Sequence, residues 1–485
     1  LILAAEVAPL AKTGEVAEVI APLAKALKTL GHDVRIAMPR YSHISPERFP
    51  LELLIETFAV PLDRCHVLAT VYQMDLDGLP IYLIDNPGYF GQLSAPCYLD
   101  EAEPFIFYAR AALEMLKRPE LAWHPEVLHC HDWQTAIIPN WLATLYKDDP
   151  FFAQTATVLT IHRLSHQGIF GYRVLEVAGI AEHGFIHHAG LSDLAELVDL
   201  LGRGIYYADA ITTVSERYAQ EIQTPEFGEK LDPILQERSR RLYGVLNGID
   251  VESFNPATDE QIPAPYDAAT LERRSLNKAA LQNAMGLAQD ADVPLIGMVS
   301  RLNDLKGFDL LTAILEPLMQ NLHLQFAILG VGDPKYHEQL SELHKRFPKR
   351  IGVRFTFNET LERQIYAGSD MFLVPSAVEP CGLRHMIAMR YGSVPIVRTT
   401  GGLADTVENY NPRVRSGSGF SFEPYDSLAL YTAIVRAVEI YHHRDIWRLL
   451  QERCMARDFS WGSSAAKYVD IYREALRHRL EEKKS

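Results

Sequence analysis

No stretch of the 485-residue sequence approaches 18 consecutive apolar residues, so no membrane-spanning helix is expected. Cysteine is scarce. The five, Cys65, Cys97, Cys130, Cys381 and Cys454, are odd in number and none stands in a C-x-x-C pair. That argues against a disulfide framework and for reduced thiols in a reducing compartment. Positive charge is in deficit, with 47 Lys and Arg against 62 Asp and Glu, a net charge of −15. Such a surface repels phosphate backbones and excludes general nucleic-acid binding, though not a local basic pocket for a small anion. Internal repeats, low-complexity tracts and the G-x-x-x-x-G-K-[ST] phosphate loop are all missing. The first residue, Leu1, already lies in an apolar segment, with no initiator Met and no targeting peptide in view. The expected compartment is the cytoplasm, or a plastid stroma if a targeting segment has been removed. What is present is an ordinary globular mix, 48% hydrophobic and 22% charged, long enough for two or three domains.

Short apolar runs alternate with helical stretches along most of the chain. Strands are expected at Leu1–Ala5, His32–Met38, Val127–His131, Ala156–Ile161, Ala210–Val214, Pro294–Val299, Leu324–Leu329, Val353–Phe355, Met371–Val374 and Ser393–Val397. Helical spacing runs over Glu18–Leu30, stopped by Gly31, and over Trp461–Glu482. Strands separated by helices imply parallel sheets covered on both faces, an α/β fold. The beat breaks over Glu216–Asp259, rich in charge and turn residues, and resumes at Pro294. Two α/β lobes follow, with a boundary near Arg241–Asp250. Ligands of open α/β sheets sit beyond the carboxyl ends of the strands, so a cleft between the lobes is the expected site.

Several chemistry-bearing residues fall at those strand ends. Lys12-Thr13-Gly14 precedes a helix and could hold a phosphate, although spacing alone favours an ordinary loop with a solvated Lys. His129 and His131 share one strand face, but without a third ligand they do not make a zinc site. Asp132 is the better candidate there, as an acceptor for sugar hydroxyls. His162, at another strand tip, divides evenly between a structural and a functional histidine. Arg301 and Lys306 flank a loop ahead of Gly307 and suit a diphosphate, or are two surface cations. Glu379, in EPCGL, either complements a helix dipole or binds hydroxyls. Gly401 and Gly402 allow amides to approach a ligand, or simply make a turn. Hydroxyl acceptors, a cation pair and Gly-rich turns together suit a sugar nucleotide.

These residues stand in stretches that resemble the bacterial glycogen synthases and plant starch synthases, in feel the cyanobacterial and plastid branch. The matching stretches run the length of the chain: AAEVAPLAKTG, GHDVRIAMPRY, HCHDWQTA, His162 with Gln167-Gly168, YADAITTVS, LNGID, SRLNDLKG, LGVGD, IYAGSDMFLVPS, EPCGL, AMRYGSVPIVRTTGGLADTV and DFSWGSSA. The resemblance implies the GT-B fold, two Rossmann-like doubly wound lobes facing across a cleft. Residues 1–242 would be the acceptor-glucan lobe and 243–455 the nucleotide-sugar lobe, with 456–485 crossing back to the first. It implies transfer of glucose from ADP-glucose to the non-reducing end of an α-1,4-glucan, glycogen or starch, with retention, without cofactor or metal. By position, Lys12 and Gly14 match the diphosphate loop, and Asp132 and His162 match acceptor-side and glucose-contacting residues. Arg301 and Lys306 match the cations on the leaving diphosphate, Glu379 the carboxylate at the donor sugar, and Gly401 and Gly402 the later Gly-rich turn.

The chain also departs from the family pattern, and it does so at pocket positions. Glu15 replaces a Gly after Lys-Thr-Gly, and Glu18 replaces an Asp. Arg163 and His166 replace the Asn and Tyr of HNLxYQG. Ala377 stands where an Arg precedes EPCGL, Arg384-His385 where Ser/Thr-Gln follows it, and Pro104 where an Arg precedes an aromatic run. A carboxylate at Glu15 about 4 Å from a phosphate charge would be repelled by roughly 4 kcal/mol at an effective dielectric near 20, unless Arg163 or Arg384 offsets it. Two further functions are therefore carried forward: a catalytically impaired glucan-binding or regulatory relative, and a retaining transferase for another nucleotide sugar such as UDP-glucose.

Overall fold

The first strand of the chain, only Ile2–Leu3, lies in the interior of a nine-stranded sheet. The computed structural model describes residues 1–63, 65–91, 102–183 and 197–482. They form two compact units, Leu1–Gly248 with Trp461–Ser485, and Ile249–Ser460. The first unit thus runs past the expected 242, and the second past 455.

In the first unit seven strands run parallel. In chain order they are Ile2–Leu3, Ile36–Pro39, Leu79–Asp85, Val127–His131, Ala156–Ile161, Ala210–Thr213 and Leu242–Gly244. Across the sheet they stand in the order 3-2-1-4-5-6-7. The outer edge is different. Glu52–Leu62 and Cys65–Leu76 add antiparallel strands beyond Leu79–Asp85. No strand was expected over these residues. Glu52–Leu62 exposes alternate residues, so it lacks the continuous apolar signature of a parallel strand. One signal was there to be read. Asp77-Gly78, both at positive φ (52° and 84°), closes the hairpin between paired Leu76 and Leu79, the Asp-Gly turn that the twist of antiparallel strands favours.

The helix Trp461–Glu482 belongs to this unit. It packs on the helix Val16–Thr29 and on the strands Ala156–Ile161 and Ala210–Thr213. Its apolar stripe of Tyr468, Ile471 and Ala475 is buried there.

The second unit is a six-stranded, all-parallel sheet. In chain order its strands are Leu295–Val299, Gln325–Leu329, Ile351–Arg354, Met371–Val374, Val394–Arg398 and Phe420–Phe422. Their order across the sheet is 3-2-1-4-5-6. Every residue of Leu295–Val299 and Gln325–Leu329 is buried, because helices cover both faces. In both sheets the strand order reverses between the first and fourth strands. The loops leaving those two strands go to opposite faces and leave a crevice at the carboxyl end.

A buried ion pair stitches the two central strands of the second sheet at their amino ends. Lys278 Nζ, on the helix Arg274–Met285, lies 2.7 Å from Asp370 Oδ2, with side-chain exposures of 5% and 13%. It also donates to the carbonyl oxygens of Ala291 and Val293 and to the Tyr441 hydroxyl. The same Asp370 oxygen accepts the Leu295 amide at 2.9 Å. Removing one partner of such a pair leaves an uncompensated charge and costs about 3–5 kcal/mol. Lys278→Ala is therefore expected to lower the melting temperature, with hydrogen exchange accelerating first in Leu295–Val299. Unchanged protection of those amides would remove the pair from the stability of the sheet.

Candidate functional site

The candidate residues collect at the two switch points, one in each unit. In the second unit the loop after Leu295–Val299 turns through a short helix, Asp304–Lys306, whose end is pinned by Asn303 Oδ1 accepting the Lys306 amide at 3.1 Å. The loop after Met371–Val374 carries Ala377 and Glu379, and the Ala377 amide donates to the Leu305 carbonyl at 2.9 Å. The two loops are thereby joined, and Lys306 Nζ meets Glu379 Oε2 at 2.6 Å with side chains only 14% and 4% exposed. Ser376 Oγ donates to the same carboxylate oxygen at 2.8 Å. Arg301 opens the Lys306 loop and is exposed.

Gly401 and Gly402 begin a helix, Gly401–Thr406, seated on the Glu379 loop. The Gly402 amide donates to the carbonyls of Glu379 and Pro380 at 3.1 Å. A Cβ on Gly401 (φ +44°) would come within 2.1 Å of the Glu379 carbonyl oxygen, and one on Gly402 within 2.0 Å of that of Cys381. What the glycines permit is close seating of this turn against Glu379–Cys381, and the Gly402 amide is spent on that seating.

One of the altered positions supports the same turn. His385 is fully buried, and its Nε2 meets Thr406 Oγ1, which donates in turn to the Gly402 carbonyl at 2.6 Å. Burial pushes His385 down to about 4, only partly offset by the Glu379 carboxylate. Arg384 bridges Glu362 at 3.3 Å. That partner lies within its own unit.

In the first unit the loop after Ile2–Leu3 folds around a residue the sequence reading passed over. Glu6, 1% exposed, accepts the Thr13 amide at 2.6 Å and the Thr13 hydroxyl at 2.7 Å. A Cβ on Gly14 would stand 3.3 Å from its other oxygen. The signal was available as a lone carboxylate inside the apolar run LILAAEVAPL. Lys12 Nζ bridges Glu18 at 2.7 Å, both side chains well exposed. Glu15 sits at the N-cap of the helix Val16–Thr29, and its charge, with that of Glu6, is felt at His162. Pro104 occupies the first turn of the helix Glu103–Leu116, where its missing amide costs nothing.

The fourth strand, Val127–His131, ends at Asp132, which takes a left-handed backbone conformation (φ +55°). Its Oδ1 accepts the His162 amide at 2.8 Å from the tip of the neighbouring strand. Burial pushes the Asp132 carboxyl up to about 6 against the pull of that amide, and the charges of Arg163 and His166 reach it. His166 is exposed and Arg163 partly so. Three histidines pack together there, two of them hydrogen-bonded to each other. His131 Nδ1 meets His162 Nε2 at 2.8 Å, while His129 meets Tyr472 at 2.9 Å and Thr160 at 2.6 Å. Burial holds His129 and His131 well below the usual range and His162 near 4, so all three are neutral at pH 7.

Comparison with known proteins agrees with this geometry. The family model for the starch synthase catalytic domain matches residues 1–237, and that for glycosyl transferases group 1 matches 285–448. A glycogen synthase from Moorella thermoacetica is 44% identical over 483 residues, covering 99% of this chain and 97% of the relative. One from Desulforudis audaxviator is 43% identical, covering 100% and 97%. Among solved structures, the catalytic domain of starch synthase IV from Arabidopsis thaliana, bound to ADP and acarbose, is 33% identical with a TM-score of 0.88, covering 98% of this chain and 99% of that one. A sucrose-phosphate synthase from Thermosynechococcus elongatus, 16% identical with a TM-score of 0.59 and covering 98% of each chain, shares the fold. Two Rossmann-like units, their carboxylates and cations gathered at the switch points, and full-length similarity at this level place the chain in the glycogen synthase family, as a glucosyltransferase of the GT-B fold.

Proposed function

We propose that the donor is ADP-glucose and the acceptor the 4-hydroxyl at the non-reducing end of an α-1,4-glucan, with retention at the anomeric carbon, in the cytoplasm. The observation that carries this reading is the Lys306–Glu379 pair at the switch point of the second sheet. Lys306 spends one of its three N–H donors on Glu379 and has no other side-chain partner among the described residues, which leaves donors for phosphate oxygens. As the bond from the anomeric carbon to the diphosphate breaks, its electron pair stays on the leaving phosphate. A fixed cation aimed there stabilises the transition state more than the ground state. Arg301, at the mouth of the same loop, adds a second cation for the diphosphate. Glu379, held by Lys306 and Ser376, accepts from hydroxyls of the donor sugar. In the first unit, Lys12 and Gly14 serve the diphosphate, Asp132 the acceptor, and His162 contacts the transferring glucose. The binding of ADP by starch synthase IV supports the choice of nucleotide.

Transfer from labelled ADP-glucose to glycogen tests the assignment directly. Lys306→Ala is expected to lower kcat/KM about a hundredfold, equivalent to ~3 kcal/mol. Turnover like that of the wild type would remove Lys306 from the mechanism. Faster transfer from UDP-glucose than from ADP-glucose would overturn the donor.

A pH dependence follows from Asp132. Its carboxyl is raised by burial to about 6, and the ionised form is the stronger acceptor for a sugar hydroxyl. On this reading the ionised form is the active one, and it is lost as pH falls through 6. The value of kcat/KM is then expected to drop tenfold per unit below that point, while Asp132→Asn gives a low but flat profile over pH 5–7. A wild-type profile flat over the same window would separate Asp132 from the reaction.

A further inference from the structure

The histidine series does more than fill the core. His131 and His162 occupy the ends of neighbouring parallel strands, paired so that His131 stands opposite Thr160. A neutral imidazole has one donor and one acceptor nitrogen, so a single proton lies between His131 Nδ1 and His162 Nε2, 2.8 Å apart. The other nitrogen of His131, Nε2, is buried and without a hydrogen-bond partner among the described residues. If the shared proton sat on His162 Nε2, His131 would carry its own on Nε2, as a buried N–H with nothing to receive it. Such orphaned donors are rare in folded proteins, and bare acceptors are tolerated better. The arrangement that strands no proton puts it on His131 Nδ1, donating to His162 Nε2. His162 must then carry its own proton on Nδ1, the nitrogen not engaged in that bond.

We infer that His131 is a positioning residue that locks His162 in its Nδ1–H form, presenting a hydrogen-bond donor to an oxygen of the bound sugar. The surroundings hold both rings still. The His162 backbone amide is fixed by Asp132 Oδ1 at 2.8 Å. The His129 ring backs His131 with centroids 4.2 Å apart, and is itself fixed by Tyr472 and by Thr160, which pairs with Thr212 at 2.6 Å. The C-terminal helix, through Tyr472, is the far end of this support. The inference rests on the reading in which His162 contacts the transferring glucose, but its first test does not.

Nitrogen NMR of the full chain labelled with 15N-histidine, without substrate, reads the tautomer of His162, assigned by the signals lost in His162→Gln. The expected result is a protonated Nδ1 and a bare Nε2, and a protonated Nε2 in the wild type would overturn the inference whatever the activity. The kinetic arm uses two variants of His131. His131→Phe keeps a ring and removes the donor, so His162 is expected to populate the Nε2–H form and kcat to fall about tenfold with KM for glycogen little changed, the loss of one hydrogen bond. His131→Asn places an amide N–H where Nδ1 stood and is expected to recover most of that loss and the Nδ1–H signal. Equal impairment of both variants, with the His162 tautomer unmoved, would assign His131 to packing alone and sink the proposal. A tautomer that shifts in His131→Phe with kcat unchanged would overturn the part that gives the donor a role at the sugar.

Discussion

Parallel strands cannot be joined by a tight turn, and that constraint decides where this protein can do chemistry. Each crossover must pass over one face of the sheet, and right-handed crossovers send the chain outward from its first strand in both directions. In both units the reversal falls between the first strand and the fourth. The loops leaving that pair part company, and a crevice opens at the carboxyl ends of the two strands. The residues that fall there by position are Glu6, Lys12, Thr13 and Asp132 in one unit, and Lys306, Ser376 and Glu379 in the other. The Lys278–Asp370 pair holds the opposite ends of two such strands together, so the separation of the Lys306 and Glu379 loops is fixed from below.

Carboxylates at such a gap are desolvated by the strand ends around them, and each here is held by local donors. Glu6 is held by the Thr13 amide and hydroxyl, Asp132 by the His162 amide, Glu379 by Lys306 and Ser376. A buried carboxylate without such partners would neutralise. Asp132 accepts the single His162 amide, and burial raises its carboxyl to about 6.

The alternation of apolar runs and helical stretches was enough to read most of both parallel sheets, because strands such as Val127–His131, Ala156–Ile161 and Met371–Val374 are buried almost throughout and begin and end where the pattern does; the parallel strands Leu79–Asp85, Leu242–Gly244 and Phe420–Phe422 were not expected. The antiparallel edge was not legible by the same rule. Glu52–Leu62 faces water on one side, and its Pro61 and two Glu residues read as loop. Asp132 and His162 were picked out because each directly follows a strand, and Lys306 and Glu379 because they lie in the loops after strands. Glu6 was not, since a carboxylate in an apolar run reads as part of the strand until the chain is seen to fold back and bring Thr13 to it. His131 was visible only as half of a possible metal pair. Its hydrogen bond to His162 depends on the register between two strands, which no local pattern encodes.

The positions where the chain departs from its family have partners of their own, and the partners differ in what they permit. Glu18 is matched by Lys12, Arg384 by Glu362, and His385 by Thr406. His385 is buried and braces the Gly401–Gly402 turn from behind, so it substitutes one structural support for another. The Lys12–Glu18 pair is exposed, and such pairs are worth only about 0–1 kcal/mol. The Lys12–Glu18 pair lies at the surface, whereas Lys306 is held to a buried carboxylate. The two lysines that the sequence assigns to one diphosphate are therefore not equivalent. Lys306 is a preorganised charge of the kind that lowers a barrier. Lys12, with Glu15 and Glu18 flanking the same turn, is a cation in an acidic setting whose engagement is set by competition. On the proposed reading, affinity for the diphosphate is then the property that the Lys12 loop tunes, and the preorganised charge for the leaving group is that of Lys306.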